Sequence, residues 1–330
     1  MISAKTLSKE TIMLKLFSIL MAALLAVSTA PAHASDFPSK PVKIVVAFGP
    51  GSGSDILARL LVQYLQPELN TPIVVENKPG ALGQIATLSV AQAPNDGYAL
   101  GMGSSSTHST ATFLTKNLPY DPIKDFKAVG SMNRYTFVLL VNADAPYTTP
   151  EELVEHMKKK GKGFYGFGNA SGRVGAAHFR KLTGIEATEV PYKSSPEAMT
   201  DLAAGRFDYM FNSWESARSF VESGRLRAIG VMADERSPVL PDMPAVGESY
   251  PGFDFVNWGG LLAPAETPDD VIQKLNTALQ TALNNPELKK RMIELGIEVR
   301  PSSPEELATI VKEQQQAWGA AIRGADIPLE

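Results

Sequence analysis

The sequence predicts an α/β fold with two domains. Short runs of β-branched and other apolar residues alternate with stretches of helical spacing along most of the chain. Loops rich in glycine, serine and proline separate these runs. The length of 330 residues is sufficient for two domains that each have a core. Regular alternation of strands and helices is typical of mostly parallel sheets covered by helices, so we expect that architecture.

The first 34 residues have the features of a secretory signal peptide. Three lysines precede an apolar run, Leu16–Val27, and Ala32–Ala34 has the small-x-small pattern at which such peptides are cleaved. The run is short for a membrane span, and the chain has no cysteine to carry a lipid at the mature N-terminus. We therefore expect cleavage after Ala34 and a soluble periplasmic protein without a lipid anchor. An uncleaved N-terminal anchor is the alternative.

The composition argues against several partners. Without residues 1–34, the chain has 28 Lys and Arg against 34 Asp and Glu, a net charge of −6. This acidity disfavours nucleic acid and anionic lipid as partners. The same part of the sequence has no cysteine and three histidines, none of them spaced as zinc ligands. We therefore expect no metal and no cofactor.

Residues 35–136 and 254–330 are expected to form the first domain. Strands are predicted at Val42–Phe48, Ile73–Glu76, Tyr98–Gly103 and Ile297–Arg300, with an extended return path over Phe253–Leu262. Helices are predicted at Ile56–Leu69, Gln84–Ala93, Pro268–Asn284, Pro286–Leu295 and Pro304–Ile322.

Residues 137–253 are expected to form the second domain, in which strands again precede polar loops and helices. Thr149 and Pro150 supply an N-cap and a first-turn proline for one helix. A second helix ends near Leu182 and a third covers Pro196–Ala204. Strands are predicted at Phe137–Val141, Phe164–Phe167, a segment ending at Val190, Phe207–Phe211 and Leu226–Val231.

Two polar loops follow two strands of the first domain. Gly49–Asp55 lies between the first strand and its helix, and Gly103–His108 follows the third strand. A helix N-terminus carries unbonded N–H groups and the positive end of the helix dipole, so the natural occupant of the first loop is an anion. Ligands of open α/β sheets bind outside the carboxyl ends of the strands. The two loops therefore indicate a binding site for an anion.

The motifs of nucleotide-binding proteins and hydrolases are absent from the sequence. It has no G-x-x-x-x-G-K-[ST], no complete dinucleotide fingerprint and no G-x-S-x-G elbow. His108 lies beside several serines, but adjacency in sequence does not make a catalytic triad. We therefore expect no catalytic residue and a site that holds a carboxylate. An exported Ser/His hydrolase and a binding protein used as a signalling sensor remain the alternatives.

Several segments resemble one protein family. Ala47–Asp55, A-F-G-P-G-S-G-S-D, resembles the P-F-A-P-G-G-G/P-T-D loop of the extracytoplasmic receptors of tripartite tricarboxylate transporters, often called Bug proteins. Ser52, Ser54 and Ser194 depart from the family pattern. Further matching segments are Val75–Gly83, Ala93–Leu100, Ser105–His108, Leu118–Phe126, Val190–Asp208, Gly224–Val231 and Leu261–Pro268, in the family's order over nearly the whole mature chain.

This resemblance implies a type II-like periplasmic binding protein, with two α/β domains and a cleft between them. Such a receptor closes over a small organic acid, here a di- or tricarboxylate or an aromatic acid, and delivers it to integral membrane transporter subunits. We expect a monomer. We expect Arg173, Asn212 and Trp214 to contact the far end of the ligand. The full set of ligand-binding residues that we expect is Gly51, Ser52, Gly53, Ser54, Asp55, Ser104, Ser105, Ser106, Thr107, Ser171, Gly172, Arg173, Tyr192, Lys193, Ser194, Ser195, Asn212 and Trp214. Trp258 is a further candidate.

Overall fold

The structure is a computed structural model that describes residues 37–253 and 256–329. Residues 38–330 group into one compact unit by their contacts. The predicted signal peptide and its cleavage site lie outside the described residues.

The described chain alternates strands and helices as predicted. The strands are β1 Val42–Val46, β2 Ile73–Asn77, β3 Ala99–Ser104, β4 Phe126–Tyr135, β5 Phe137–Asn142, β6 Lys162–Phe167, β7 Glu186–Pro191, β8 Met210–Ser213, β9 Leu226–Val231, β10 Asn257–Pro264 and β11 Ile297–Val299. The helices are α1 Gly53–Leu69, α2 Gln84–Ala91, α3 Ala111–Leu114, α4 Pro150–Lys160, α5 Ala170–Thr183, α6 Ser195–Ala203, α7 Trp214–Glu222, α8 Asp269–Asn284, α9 Pro286–Glu294 and α10 Pro304–Gly324. A π-helical turn, Ser105–Ser109, follows β3 directly.

The larger sheet has six strands in the order β11-β4-β10-β3-β1-β2. β1 pairs in parallel with β2 and β3, whereas β10 pairs antiparallel with both β3 and β4, and β11 pairs antiparallel with β4. The sheet is therefore mixed rather than mostly parallel. The reason is that β10 returns from a distant part of the chain and inserts between β3 and β4 in the opposite direction.

The remaining strands come from residues 137–231. β5 is the centre of an antiparallel sheet, β8-β5-β9, and β6 pairs in parallel with β7. A bridge between Tyr165 and Tyr209 connects β6 to the chain that enters β8. The chain passes from the larger sheet to this group at Thr136 and returns to the larger sheet between β9 and β10.

The structure differs from the sequence prediction at several element boundaries, and three differences bear on the site. The ten-residue strand β4 was not predicted, because its sequence F-K-A-V-G-S-M-N-R-Y has a single β-branched residue. Pairing with β10 and β11 on both sides makes it a strand nonetheless. α1 begins at Gly53 instead of Ile56, so Ser54 and Asp55 belong to its first turn. β8 begins at Met210 instead of Phe207, which places Asn212 and Ser213 inside the strand.

Apolar side chains fix the position of the loops at the strand ends. Around β8 an aromatic cluster forms, in which the rings of Phe211 and Phe253 stack at 5.7 Å and Phe179 meets both. Beneath the first loop, Val45, Ala47 and Phe48 pack with α2. These apolar contacts fix the positions of the carboxyl ends of β1 and β8.

Asn276 of α8 is hydrogen-bonded to β4, the strand that the sequence did not predict. Its buried Nδ2 donates to the carbonyl oxygens of Val129 in β4, at 2.7 Å, and of Ser302, at 3.0 Å. Asn276→Ala removes this donor from both carbonyls, of which that of Ser302 still accepts from Gln280 Nε2 at 2.7 Å, so we expect the free energy of unfolding to fall by about 1–3 kcal/mol. Urea unfolding measures the loss. The matched control is Thr277→Ala at the next, exposed position, where a change of less than about 0.5 kcal/mol is expected; equal losses would contradict the assignment.

Candidate functional site

A small cavity lies where loops from the larger sheet meet loops from residues 137–231. Its volume is about 40 Å³, which is room for no more than a few water molecules. A larger occupant requires its walls to move apart. The lining residues are Phe48, Ser52, Gly53, Ser54, Ser104, Ser105, Tyr135, Phe137, Asn169, Ser171, Ser195, Asn212, Ser213, Glu215, Asn257 and Trp258.

The N-terminus of α1 forms one wall of this cavity. Gly51 has a φ of +79°, a conformation that glycine adopts without strain, and this turns the chain into the helix. Ser52 is the N-cap and accepts a hydrogen bond from the Asp55 N–H. Within the described chain, the N–H groups of Gly53 and Ser54 donate to no protein acceptor. Two free donors and the positive end of a 17-residue helix therefore face the cavity.

The carboxylate of Asp55 stabilises this loop through hydrogen bonds. Its carboxylate accepts hydrogen bonds from the Gly51 N–H at 3.0 Å, from Arg59 Nε at 2.9 Å and from Asn77 Nδ2 at 2.9 Å. Burial opposes ionisation of Asp55, but these bonds together outweigh it and lower its pKa. Its carboxylate is thus an ionised structural group that holds the loop against β2.

Three further helices begin at the same cavity. Asn169 and Ser171 line it at the start of α5, Ser195 at the start of α6, and Ser213 with Glu215 at the start of α7. Among the described residues that line the cavity there is no lysine, arginine or histidine. The positive potential in this cavity therefore comes from backbone dipoles and N–H groups.

Asn169 connects the three segments of this second wall. Its Nδ2 donates to Ser195 Oγ at 3.0 Å and to Asn212 Oδ1 at 3.1 Å. Its Oδ1 accepts from the Gly172 N–H at 2.8 Å and so caps α5. One buried amide thus fixes α5, α6 and β8 relative to one another.

Hydrogen bonds join the two walls directly. Ser106 Oγ lies 3.0 Å from Ser171 Oγ and accepts from the Ser171 N–H at 3.1 Å. On the other side of the cavity, Ser216 Oγ donates to the Gly51 carbonyl oxygen at 2.9 Å. These hydrogen bonds link the segment after β3 to α5 and the loop before α1 to α7.

Glu215 is the one acidic residue among the described residues of the lining. Its side chain is buried, and neither carboxylate oxygen has a hydrogen-bond partner at ordinary geometry. Burial raises the pKa of Glu215 to about 7, against smaller opposing effects of the Ser213 hydroxyl and its own backbone N–H. Burial, together with the charge of Glu215, also raises the pKa of Tyr135 well above its ordinary value. The lining also includes Asn257, whose Oδ1 is buried without a partner.

His108 does not have the geometry of a catalytic base. Its Nδ1 lies 2.8 Å from Thr107 Oγ1, no serine hydroxyl bonds to the ring in the described structure, and the ring meets Phe126 edge-on at 4.8 Å. Burial lowers the pKa of His108 to about 3, which makes the imidazole a weak base. The Ser/His hydrolase alternative therefore lacks its central contact.

Eight of the residues expected from the sequence line the cavity: Ser52, Gly53, Ser54, Ser104, Ser105, Ser171, Ser195 and Asn212. Trp258, the further candidate, lines it too. Of the other ten, Gly51 and Asp55 shape the first loop, Ser106 bridges the walls, and Thr107 accepts from the backbone N–H of Ser104. Gly172 lets α5 approach the backbone of β8. Direct ligand contact stays a prediction for all of them.

The remaining five lie away from the lining. Arg173 is fully buried and donates to Glu189 at 2.9 and 2.7 Å. The Tyr192 hydroxyl donates to Asp201, and Lys193 is exposed. Ser194 lies beside Gly49, and Trp214 packs against Gly296.

Sequence reasoning missed Phe48, Tyr135, Phe137, Asn169, Ser213, Glu215 and Asn257. Tyr135 and Asn257 lie at the ends of β4 and β10, whose pairing the sequence does not reveal. Asn169, Ser213 and Glu215 belong to helix starts, and the N-cap types Asn169 and Ser213 are the available sequence signal.

Two further classes of feature are absent from residues 37–253 and 256–329. No helix there has both the length and the hydropathy needed to cross a bilayer. No group of three or more acidic or histidine side chains in these ranges is arranged to hold a metal ion.

Comparison with known proteins shows the family and the fold of this chain. Residues 57–327 match the sequence profile of a family described as "Tripartite tricarboxylate transporter family receptor". The structure is similar to that of the periplasmic binding protein BugD, with a TM-score of 0.84 and 32% identity over 89% of this chain and 100% of BugD. These findings confirm the resemblance seen in the sequence, and with it the periplasmic binding protein fold.

Two similar structures were determined with organic acids. MatC from Rhodopseudomonas palustris, with bound malate, has a TM-score of 0.82 and 31% identity, covering 87% of this chain and 100% of MatC. R. palustris Rpa4515, with adipate, has a TM-score of 0.86 and 29% identity, covering 89% of this chain and 100% of Rpa4515.

Glu215 gives a testable dependence of stability on pH. Burial raises the pKa of Glu215 from 4.5 to about 7. Between pH 4.5 and pH 7 the folded protein therefore binds more protons at this residue than the unfolded chain does. The free energy of unfolding therefore falls as pH rises from 4.5 to 7. We expect Glu215→Gln to be more stable than the parent protein by on the order of 1–3 kcal/mol above pH 7 and equally stable near pH 4.5. Urea unfolding at a series of pH values measures this difference.

The comparison between the two proteins cancels the opposite contribution of His108, which both retain. The control is Glu222→Gln on the exposed part of α7, for which we do not expect the stabilisation predicted for Glu215→Gln. A difference between Glu215→Gln and the parent protein that stays constant with pH would show that Glu215 is not buried as described.

Proposed function

We propose that this chain, which belongs to the tripartite tricarboxylate transporter family of receptors, captures a small organic carboxylate and delivers it to the integral membrane subunits of such a transporter. It is a periplasmic solute-binding protein of this family. The observation that carries the proposal is the N-terminus of α1, where the N–H groups of Gly53 and Ser54 are unbonded. It lies at a cavity where three other helices also begin, so that the positive ends of four helix dipoles are close together.

The donors in this cavity suit a carboxylate that is held and then released. Backbone N–H groups bound to an ionised oxygen form short, charge-assisted hydrogen bonds. The serine hydroxyls at positions 52, 54, 104 and 195 can add further donors from both walls. Since the described lining lacks a cationic side chain, the carboxylate is held by dipoles alone. The arrangement offers binding, and no nucleophile paired with a base, so we infer a receptor without catalytic activity.

Capture requires the two walls to move relative to each other. We propose that residues 35–136 with 254–330 and residues 137–253 act as two lobes, in keeping with the separate sheets that their described strands form. The chain crosses between these sheets at Thr136 and over residues 232–256. Opening at these crossings breaks the Ser106–Ser171 and Ser216–Gly51 hydrogen bonds and admits the ligand.

The class of ligand follows from the similar structures and from the lining. Malate and adipate, bound by MatC and by Rpa4515, are both dicarboxylates. The cavity of this chain also has an aromatic part, formed by Phe48, Phe137 and Trp258, against which a carbon chain or ring can pack. We therefore propose a di- or tricarboxylate or an aromatic acid as ligand. We also propose export through the N-terminal signal peptide, with cleavage after Ala34.

A thermal-shift panel tests this function. Organic acids of different chain length and ring content are added to the purified protein, and each mixture is also assayed for product. We expect at least one acid to raise the melting temperature without turnover, by an amount that corresponds to about 2.7 kcal/mol at a hundredfold excess over Kd. Product formation that His108→Ala abolishes would instead establish the hydrolase, and stabilisation by no carboxylate would refute the proposal.

Gly53→Ala tests the position of the anion site. A methyl group on Gly53 would overlap Glu215 Oε1 and lie 2.6 Å from Ser213 Oγ. The walls could then no longer meet at the α1 N-terminus, and we expect the affinity for the stabilising acid to fall about tenfold or more. Isothermal titration calorimetry measures the change. Gly49→Ala is the matched control, because its methyl group would meet Ser194 Cβ at an ordinary 3.5 Å; equal affinities of the two variants would place the site elsewhere.

A further inference from the structure

We propose that Glu215 selects ligands that carry a hydrogen-bond donor, a hydroxyl or an ammonium group, on the carbon next to the bound carboxylate. The inference rests on the proposed function and narrows its ligand class to 2-hydroxy and 2-amino acids. It assigns Glu215 as a specificity-determining residue.

The first argument is the position of Glu215. Its carboxylate lies directly against Gly53, so closely that Oε1 occupies the space where a β-carbon on Gly53 would be. Gly53 and Ser54 present the N–H groups on which the ligand carboxylate is proposed to bind. A carboxylate bound there lies beside Glu215, and the carbon that Glu215 can reach first is the one attached to that carboxylate.

The second argument is the hydrogen-bonding capacity that Glu215 leaves unused. An ionised carboxylate only accepts hydrogen bonds, and both of its oxygens are buried here without a partner. Leaving such acceptors unsatisfied is costly. The described lining has no lysine, arginine or histidine, and the Ser213 hydroxyl is a neutral donor. When a ligand displaces the water for which the cavity has room, the ligand is therefore the source of a strong donor for these oxygens.

The third argument is the repulsion that a donor removes. An ionised ligand carboxylate beside Glu215 raises further a pKa that burial already raises, so Glu215 stays ionised there only if a donor offsets the repulsion between the two like charges. The groups that interact with Glu215 are the hydroxyls of Ser213, two residues before it, and of Tyr135 on β4, and neither carries a compensating positive charge. A hydroxyl or ammonium hydrogen between the two carboxylates changes this repulsion into a hydrogen bond or an ion pair.

The chemistry also predicts which ligands are rejected. A site that is built to accept a hydrogen bond discriminates strongly against the analogue that lacks the donor, because the buried acceptor is then left unpaired. The unsubstituted acid of the same carbon skeleton should therefore bind this protein about 10- to 100-fold more weakly than its 2-hydroxy or 2-amino counterpart.

Calorimetric titration with matched sets of acids tests the proposal. The sets are malate, succinate and aspartate; lactate, propionate and alanine; 2-hydroxyglutarate, glutarate and glutamate; and mandelate, phenylacetate and phenylglycine. In the best-bound set, we expect the 2-hydroxy or the 2-amino acid to bind at least about tenfold more tightly than the unsubstituted acid. The stronger of these two identifies the donor as hydroxyl or ammonium.

Two variants attribute the preference to Glu215. Glu215→Leu removes the acceptor, so the substituted and the unsubstituted acid should bind within about twofold of each other. Glu215→Gln keeps an acceptor oxygen but loses the charge, so it should retain part of a preference for hydroxyl and lose a preference for ammonium. Glu222→Gln, exposed on the same helix, is the control and should keep the preference of the parent protein. Circular dichroism checks that each variant is folded.

The outcomes separate this proposal from the function on which it rests. If the parent protein binds an unsubstituted acid as tightly as its substituted counterparts, or if Glu215→Leu keeps the preference, the role of Glu215 is refuted while the carboxylate receptor stands. If none of the acids binds, the proposed function fails, and the inference fails with it.

Discussion

The arrangement of the site depends on one electrostatic constraint: four helices begin at the same cavity, and the cavity has no cationic side chain among its described lining residues. Each of these helices follows a strand, and these strands belong to all three sheets, so their carboxyl ends bring four helix N-termini to one place. A carboxylate can be neutralised there by several partial charges. Since no single ion pair has to be broken, release remains possible when the walls separate.

Two carboxylates within this region show how environment assigns different roles to the same chemical group. Asp55 accepts hydrogen bonds from a backbone N–H, a guanidinium and an amide, which together hold its pKa low. Glu215 is buried with no such partner, and burial holds its pKa high. The first carboxylate is satisfied by the protein and fixes the loop. The second has no such partner in the protein and can be hydrogen-bonded by a ligand in the cavity. For this reason we assign Glu215 as a residue that determines ligand specificity.

The sequence predicted what is local in this structure and missed what depends on pairing between distant segments. The sequence predicts the loop from Gly51 to Asp55 because a strand, a turn of small residues and a helix are consecutive there. It predicts Ser104 and Ser105 because they likewise lie where a strand ends. β4 was missed because its sequence is weak and its partners, β10 and β11, are far along the chain. Tyr135 and Asn257 were missed with it.

Charge was the less reliable sequence signal. Arg173, expected at the far end of the ligand, is buried beside the site and donates to Glu189. Its neighbour in α5, Ser171, lines the cavity instead, because successive helical residues point in different directions. Glu215 had no distinguishing signal, since an acidic residue in the first turn of a helix is common and usually exposed. Only the packing of α7 against Gly53 reveals its role.

Mass spectrometry of the small molecules released from the protein tests the central claim most directly. The protein is purified from its native periplasm without denaturation, unfolded in acid, and its released solutes are compared with those of a Gly53→Ala preparation made in parallel. If helix N-termini hold a carboxylate in this cavity, the parent protein releases an organic acid in near-stoichiometric amount and the variant releases much less. A released solute without a carboxyl group, such as a neutral sugar or an amine, would contradict the account.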